Sequence, residues 1–321
     1  MRDTVTPRID LAFKKIFGVE ENKDLLISLI NSIVSKEDQV VDLDILNPYN
    51  PQNFKKDKLS ILDIKAKDTK GRRYNIEMQI SDEADYDKRA LYYWAKLYSQ
   101  QLKKKGHYSD LRKAIGIHIL NFVSIPGSAK YHNVFHITEK ETGLKYFKDM
   151  ELHTVELTKF EQDTKLETQL SEFLSRVRNA LDVWVLFLTR HDLLQAEELP
   201  QVVDNSNIRK AIQVLEEMNF NDQEREEYES HLSWFRMEAS SIKKSIEKGR
   251  AKGITEGLAK GIAKGIAKGI EKGIEKGIAQ GTAKEKIQIA KEMLKNKEPI
   301  SKIVKFTKLS EEEIKELEVL V

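Results

Sequence analysis

Asp63 and Glu77 are separated by thirteen residues, and Gln79 follows two positions later. Two carboxylates set face to face repel each other unless a cation lies between them. The residues in between decide whether they meet. Leu59 to Lys67 alternates with period two, Asp68-Thr69-Lys70-Gly71-Arg72 has turn composition, and Arg73 to Ile80 alternates again, which predicts a hairpin. With that hairpin symmetric about Lys70, Ile64 faces Ile76, Ala66 faces Tyr74 and Leu62 faces Met78 on one side. On the other side Asp63 lies directly opposite Glu77, at a Cβ separation of about 4.5–5.5 Å. A one-residue slip would destroy this alternation. Such a pair offers oxygen ligands to Mg²⁺ or Mn²⁺. A backbone carbonyl near Met78, waters and a phosphate oxygen would complete the shell, and Gln79 would hold a water. The same spacing also fits acidic residues on the solvated face of a hairpin.

The elements that must position this pair can be read on either side of it. Asp10 to Gly18 places Phe13, Ile16 and Phe17 on one helical face, and Leu25, Leu26, Leu29, Ile30, Ile33 and Val34 repeat at three and four in a second helix. Residues 37–57 are loop-like, punctuated by Asn47-Pro48-Tyr49-Asn50-Pro51. After the hairpin, Ala84 to Lys105 predicts a helix with an inward stripe of Leu91, Trp94, Ala95, Tyr98, Gln101 and Leu102. A neighbouring polar stripe carries Arg89, Tyr93, Lys96, Gln100 and Lys103. Lys113 to Val123 alternates as a strand, and further strands are expected near 132–138 and 151–158. From about 167 onward only helices are expected, at 168–190, 206–219 and 222–240, with an internal hinge expected at 191–205. In the last segment, 284–321, Pro299 belongs to the first turn of one short helix. Ser310 caps another, with Glu313 completing a capping box.

Further candidates surround the carboxylate pair. Asp10 is a possible third acid, or a helix N-terminal residue favoured by the dipole. Arg89, Tyr93, Lys96 and Gln100 either contact nucleic-acid phosphates and bases or form a solvated helix face. His132 and His136 are four apart in a strand-like segment without the HExxH glutamate, so no zinc site is expected there. The glycines have no P-loop or Rossmann context, so no nucleotide cofactor is expected.

The chain of 321 residues is 40% hydrophobic, has no cysteine and carries a net charge of +2. The missing thiols exclude disulfides and thiolate zinc sites. The densest apolar run, Val183 to Leu188, is far short of a membrane span, and Met1 to Arg8 has no apolar signal region, so a cytoplasmic protein is expected. Residues 243–297 hold 15 Lys/Arg against 6 Asp/Glu, a net of +9, which leaves −7 for the rest. That asymmetry suggests a polyanion partner, or simply a solvated lysine-rich helix. Within this segment glycine recurs every four residues from 249 to 281. A helix advances about 400° per four residues, so the glycine stripe drifts by about 40° per repeat and nearly circles the helix. Self-association by close approach, a lysine-studded arm on DNA and a low-complexity spacer all fit it.

Asp63 followed by Glu77-x-Gln79 on the next strand resembles the PD-(D/E)XK nuclease motif. More specifically, Asp10-x-x-Phe13-Lys14-x-Ile16-Phe17-Gly18, Leu62-Asp63-Ile64-x-Ala66-Lys67-Asp68, Tyr74-Asn75-Ile76-Glu77-Met78-Gln79 and Arg89-Ala90-Leu91-Tyr92-Tyr93-Trp94 resemble the Rpn family of recombination-promoting nucleases, also described as putative transposases. The glycine-repeat tail resembles that family too. The resemblance implies a mixed α/β fold with a restriction-endonuclease-like core over 1–165. A helical region (166–242), a basic GxxxG-repeat helix (243–283) and a short helical tail (284–321) follow it. It implies Mg²⁺-dependent DNA cleavage in recombination, with Asp63 and Glu77 as metal ligands and Asp63, Glu77 and Gln79 as the catalytic set. Leu62 stands at the motif's proline. Gln79 stands at its lysine, a neutral amide that can orient water but carries no charge, so either activity is slow or the lysine's role falls to Lys65 or Lys14. Cutting both strands would favour a homodimer. A catalytically weak nuclease-fold DNA-binding protein and a toxin or phage-defence nuclease are the alternatives.

Overall fold

The structure is a computed structural model that describes residues 5–49, 63–82, 85–161 and 170–318, apart from the side chains of 238–239 and 242–243. The described residues form a mixed α/β fold. Helices α1 (Asp10–Phe17) and α2 (Lys23–Ile33) precede strands β1 (Leu43–Ile45), β2 (Ile64–Asp68) and β3 (Arg73–Gln79). Helix α3 (Tyr86–Ser99) crosses over to β4 (Ala114–Leu120), and β5 (His132–Phe135) and β6 (Met150–Glu156) complete the sheet. Helices α4 (Leu157–Glu161), α5 (Leu170–Leu174), α6 (Ala180–Arg190), α7 (Ser206–Glu216), α8 (Asp222–Lys295), α9 (Ile300–Thr307) and α10 (Glu311–Glu318) follow. The strand order is β1-β2-β3-β4-β6-β5. The β1–β2, β2–β3 and β5–β6 pairs are antiparallel, while β3–β4 and β4–β6 are parallel.

The hairpin register is the one its alternation predicts. Ile64 pairs with Ile76, Lys65 with Asn75 and Ala66 with Tyr74. One step further along the same register sets Asp63 against Glu77. The Leu62–Met78 pair and residues 59–62 of the expected strand fall outside the described residues. The turn closes from Asp68 O to Gly71 N at 2.9 Å, with Gly71 at φ +82°, where a side chain would be strained.

Each face of the sheet buries something different. Ile64, Ala66, Tyr74, Ile76, Met78, Ile115, Ile117 and Ile119 join α1, α2, α6 and α7 in the main core. Helix α6 is buried along most of its length, and Trp184 packs edge-on to Phe17 at 5.3 Å. Strand β4 is buried at all seven positions, as expected for a parallel strand covered on both faces. On its other face Leu120 meets Tyr86 and Ala90 of α3.

Several elements differ from the sequence-based expectation. β1 lies inside the segment read as loop. The inward face of α3 is Tyr86, Ala90 and Leu97, whereas Leu91 is 51% exposed and Ala95 is also exposed. The small Ala90 lets the helix approach the sheet. Polar aromatic tips then fix its rotation, Trp94 Nε1 donating to Ala114 O at 2.8 Å and Tyr98 Oη to Asp149 Oδ2 at 2.9 Å. The helix stops at Ser99 rather than Lys105, because the Gln101 side chain turns to pair with both backbone groups of Arg112. The helix expected at 168–190 is broken. Asn179 adopts extended geometry and begins α6 afresh through a capping box with Asp182. Finally, 222–240 and the glycine repeat are one continuous helix, α8.

The chain divides into two compact units, residues 1–239 and 240–321. In the second, Ala290, Ile303 and Ile314 form a small core with Met293, Leu294, Ile300, Val304, Leu309 and Leu317. Pro299 is the N-cap of α9, and Ser310 and Glu313 exchange the two bonds of a capping box ahead of α10. No helix among the described residues is long and apolar enough to cross a membrane.

Candidate active site

The β3 residues Asn75, Glu77 and Gln79 alternate away from the main core, toward α3. Glu77 is 5% exposed. Asn75 Nδ2 donates to its Oε1 at 3.0 Å, while Oε2 is buried without a hydrogen-bond partner. Burial raises the Glu77 pKa, and the neighbouring Asp63 charge raises it further. Asp10, in the first turn of α1, is also buried with an unpartnered oxygen, Oδ1. Its pKa is pushed up to about 7, chiefly by burial and next by the Glu77 charge, with Arg89 opposing. A buried carboxylate oxygen without a donor is costly. Two of them, with the Glu77 charge raising Asp10 and the Asp63 charge raising Glu77, make a pocket suited to a cation.

Asp63 completes the set. Lys14, one helical turn beyond Asp10 on α1, donates from Nζ to the Asp63 carbonyl at 2.6 Å, and Asn47 Nδ2 donates to the same oxygen at 3.0 Å. The Asp63 carboxylate pairs with Lys65 at 3.1 Å, and the Lys65 side chain is 40% exposed. A pair that exposed contributes little, so a divalent cation would displace it at small cost. Burial lowers the Lys14 pKa to about 8. Among the described residues no group of three or more His, Asp or Glu side chains is already drawn together as a metal cage. A Mg²⁺ ion does not need one, since it typically keeps several waters and takes one or two carboxylates plus substrate oxygens. Asp63 and Glu77, with the orphaned Glu77 Oε2, fit that donor set.

The remaining predicted residues divide into two groups. Gln79 Oε1 accepts from Arg89 Nη2 at 2.6 Å, so Arg89 belongs to the site itself. Tyr93, Lys96 and Gln100 continue the same side of α3 and are exposed. Sequence reasoning missed His118 and Tyr86. His118 is paired with Glu77 across β3–β4, with Nδ1 3.8 Å from Glu77 Oε2 and 2.7 Å from Tyr86 Oη. Burial holds this imidazole neutral, with its pKa lowered to about 4. The available signal was one polar residue in an otherwise apolar strand, Ala114-Ile-Gly-Ile-His118-Ile-Leu120. Gly116 belongs with it, because a Cβ there would sit 3.1 Å from His118 Nε2 and 2.5 Å from Leu152 Cδ2. His132 and His136 lie elsewhere. His132 Nε2 is 3.0 Å from His153 Nδ1, and His153 Nε2 is 2.7 Å from Glu151 Oε1. His136 Nδ1 is 3.7 Å from Glu151 Oε2. Glu151 and Asp38 both bind Lys113, which gives that cluster a structural role across β4 and β6.

No curated protein and no solved structure matches the chain. A family model described as PD-(D/E)XK nuclease family transposase matches residues 7–245. The match contains α1, the hairpin and α3 and stops before the glycine repeat begins. With its acidic pair set across that hairpin, the chain belongs to the PD-(D/E)XK nuclease family transposases.

Proposed function

We propose that this protein is a Mg²⁺-dependent DNA endonuclease, accepting Mn²⁺, that hydrolyses phosphodiester bonds in a transposase-like, recombination-promoting role. The observation that carries this reading is the buried Glu77 with an unpartnered oxygen, set by the hairpin register against Asp63 and close enough to Asp10 to raise its pKa. Asp63 and Glu77 hold the cation. When bound, it supplies a water of lowered pKa and neutralises charge on the phosphate. Asn75 fixes the Glu77 carboxylate by the bond to Oε1, leaving Oε2 for the ion. Lys14 and Asn47 fix the Asp63 backbone, which keeps its carboxylate at the mouth of the hairpin. Gln79 orients the attacking water. Tyr93, Lys96 and Gln100 extend the contact along the DNA, and two copies act together to cut both strands.

A second reading, a DNA-binding protein on an inactive nuclease scaffold, rests on the neutral Gln79 at the motif's lysine position. Plasmid incubated with wild type and with Asp63→Ala separates the two. Mg²⁺-dependent nicking that EDTA and the substitution both abolish supports the enzyme. Retardation of DNA by both proteins, without nicking in Mg²⁺ or Mn²⁺, supports the binding module.

A further inference from the structure

The lysine of a PD-(D/E)XK site combines a hydrogen-bond donor with a positive charge, and Gln79 by itself supplies only the first. Arg89 changes what that amide presents. A guanidinium only donates, so the Gln79 group facing it at 2.6 Å must be Oε1. With Oε1 held by Arg89, the amide Nε2 keeps its N–H donors, the same kind of group that an ammonium presents. The charge stands directly behind it.

Two lysines lie on the Asp63 side of the site. Lys14 Nζ lies on the Asp63 carbonyl and Lys65 Nζ on the Asp63 carboxylate. The Arg89 guanidinium lies over the Tyr86 ring at 5.0 Å, and Tyr86 Oη is tied to buried His118. Its field reaches both buried acids, opposing the rise in pKa that burial and neighbouring carboxylates give Asp10 and Glu77.

We propose that Gln79 and Arg89 together replace the motif lysine, the amide donating to the attacked phosphate or its water and the guanidinium orienting the amide and supplying the charge. Arg89 is thus a positioning residue acting through Gln79, with His118 and Tyr86 holding it in place. This inference rests on the endonuclease reading of the same site.

The test compares wild type, Arg89→Met, Arg89→Lys, Gln79→Lys and the Gln79→Lys/Arg89→Met double variant. Three readouts are taken: Mg²⁺-dependent plasmid nicking, Mn²⁺ binding without DNA at pH 8.5, and melting temperature. Arg89→Met is expected to lower nicking about 100-fold. Arg89→Lys, which keeps the charge but not the planar fork, falls between. Gln79→Lys alone gains nothing, because the new ammonium meets Arg89. The double variant returns to within about tenfold of wild type, since one residue again does both jobs. Arg89→Met also binds Mn²⁺ several-fold more tightly, because a repelling cation has gone from beside the ligands. A residue that only props up the fold would not do this. Nicking by Arg89→Met at the wild-type rate, or a double variant no better than Arg89→Met, overturns the inference and leaves the endonuclease reading standing. Wild-type protein that nicks nothing overturns both. If Arg89→Met melts far below wild type, the decision rests on Arg89→Lys, and nicking by it at the wild-type rate overturns the inference.

Discussion

Burying a carboxylate with one oxygen unpaired destabilises a protein, and Asp10 and Glu77 both do so within reach of each other. For Asp10 the pKa is higher in the folded chain than its ordinary 3.8, at about 7. A carboxyl raised in this way contributes stability that is complete below the unfolded value and is lost as pH rises through the folded one. The metal-free protein should therefore lose up to about 4 kcal/mol through this group between about pH 4 and pH 7. Asp10→Asn in EDTA is expected to melt several degrees above wild type at pH 8 and level with it near pH 4. Equal melting at pH 8 would show that Asp10 carries no such penalty. Mn²⁺ is expected to raise the wild-type melting temperature, and more at pH 8 than at pH 6, because proton and metal compete for the same carboxylates. Asp63, Glu77 and Gln79 were legible at this scale because strand alternation places them without tertiary knowledge. The inward turn of Arg89 was not. On α3 two neighbouring stripes satisfy the helical period, and the choice between them lies in the Trp94 and Tyr98 hydrogen bonds to the sheet.

Among the elements, the parallel triplet β3-β4-β6 sets the depth of the site. Gly116 leaves no room for a side chain there, since an added Cβ would meet Leu152 at 2.5 Å and the ring of His118 at 3.1 Å. Gly116→Ala is expected to cost about 1–3 kcal/mol, read by denaturant unfolding, and to shift His118 against Tyr86 and Glu77. Unchanged stability would show that β4 and β6 separate freely there. The hairpin, α1, α2, α7 and β4 were readable because each carries a clear period. β1 was not. It is only Leu43–Ile45, pairs with β2 through backbone groups, and sits among loop-forming residues, so its side chains leave no pattern. The break between α5 and α6 depends on Asn179 capping rather than on any helix-breaking residue.

For the molecule as a whole, the family match ends at residue 245, and the nine repeat glycines at 249–281 lie beyond it. In α8 a Cβ at any of these glycines meets nothing within 4 Å, and Ile262, Ile266, Ile270 and Ile274 are each 55–59% exposed. Each glycine costs a helix about 1 kcal/mol relative to alanine. Gly261→Ala/Gly265→Ala/Gly269→Ala should therefore slow amide exchange across this stretch, by about 3 kcal/mol of local protection. Faster exchange would mean that the glycines admit a close partner helix that alanine excludes. The period of four was plain in the sequence. Its continuity with 222–240 was not, because nine glycines make a helix marginal and leave nothing in the sequence to join it to its neighbour in one 74-residue helix.

The most direct test of the central claim uses Glu77→Gln, which preserves shape and the Asn75 contact but removes the charge. Mn²⁺ binding and plasmid nicking are measured on the same preparations of wild type and variant. The account predicts Mn²⁺ binding and Mg²⁺-dependent nicking by wild type, with both reduced by at least about 100-fold in the variant. Undiminished nicking by Glu77→Gln would contradict it, because the cation and the chemistry would then lie somewhere other than the Asp63–Glu77 pair.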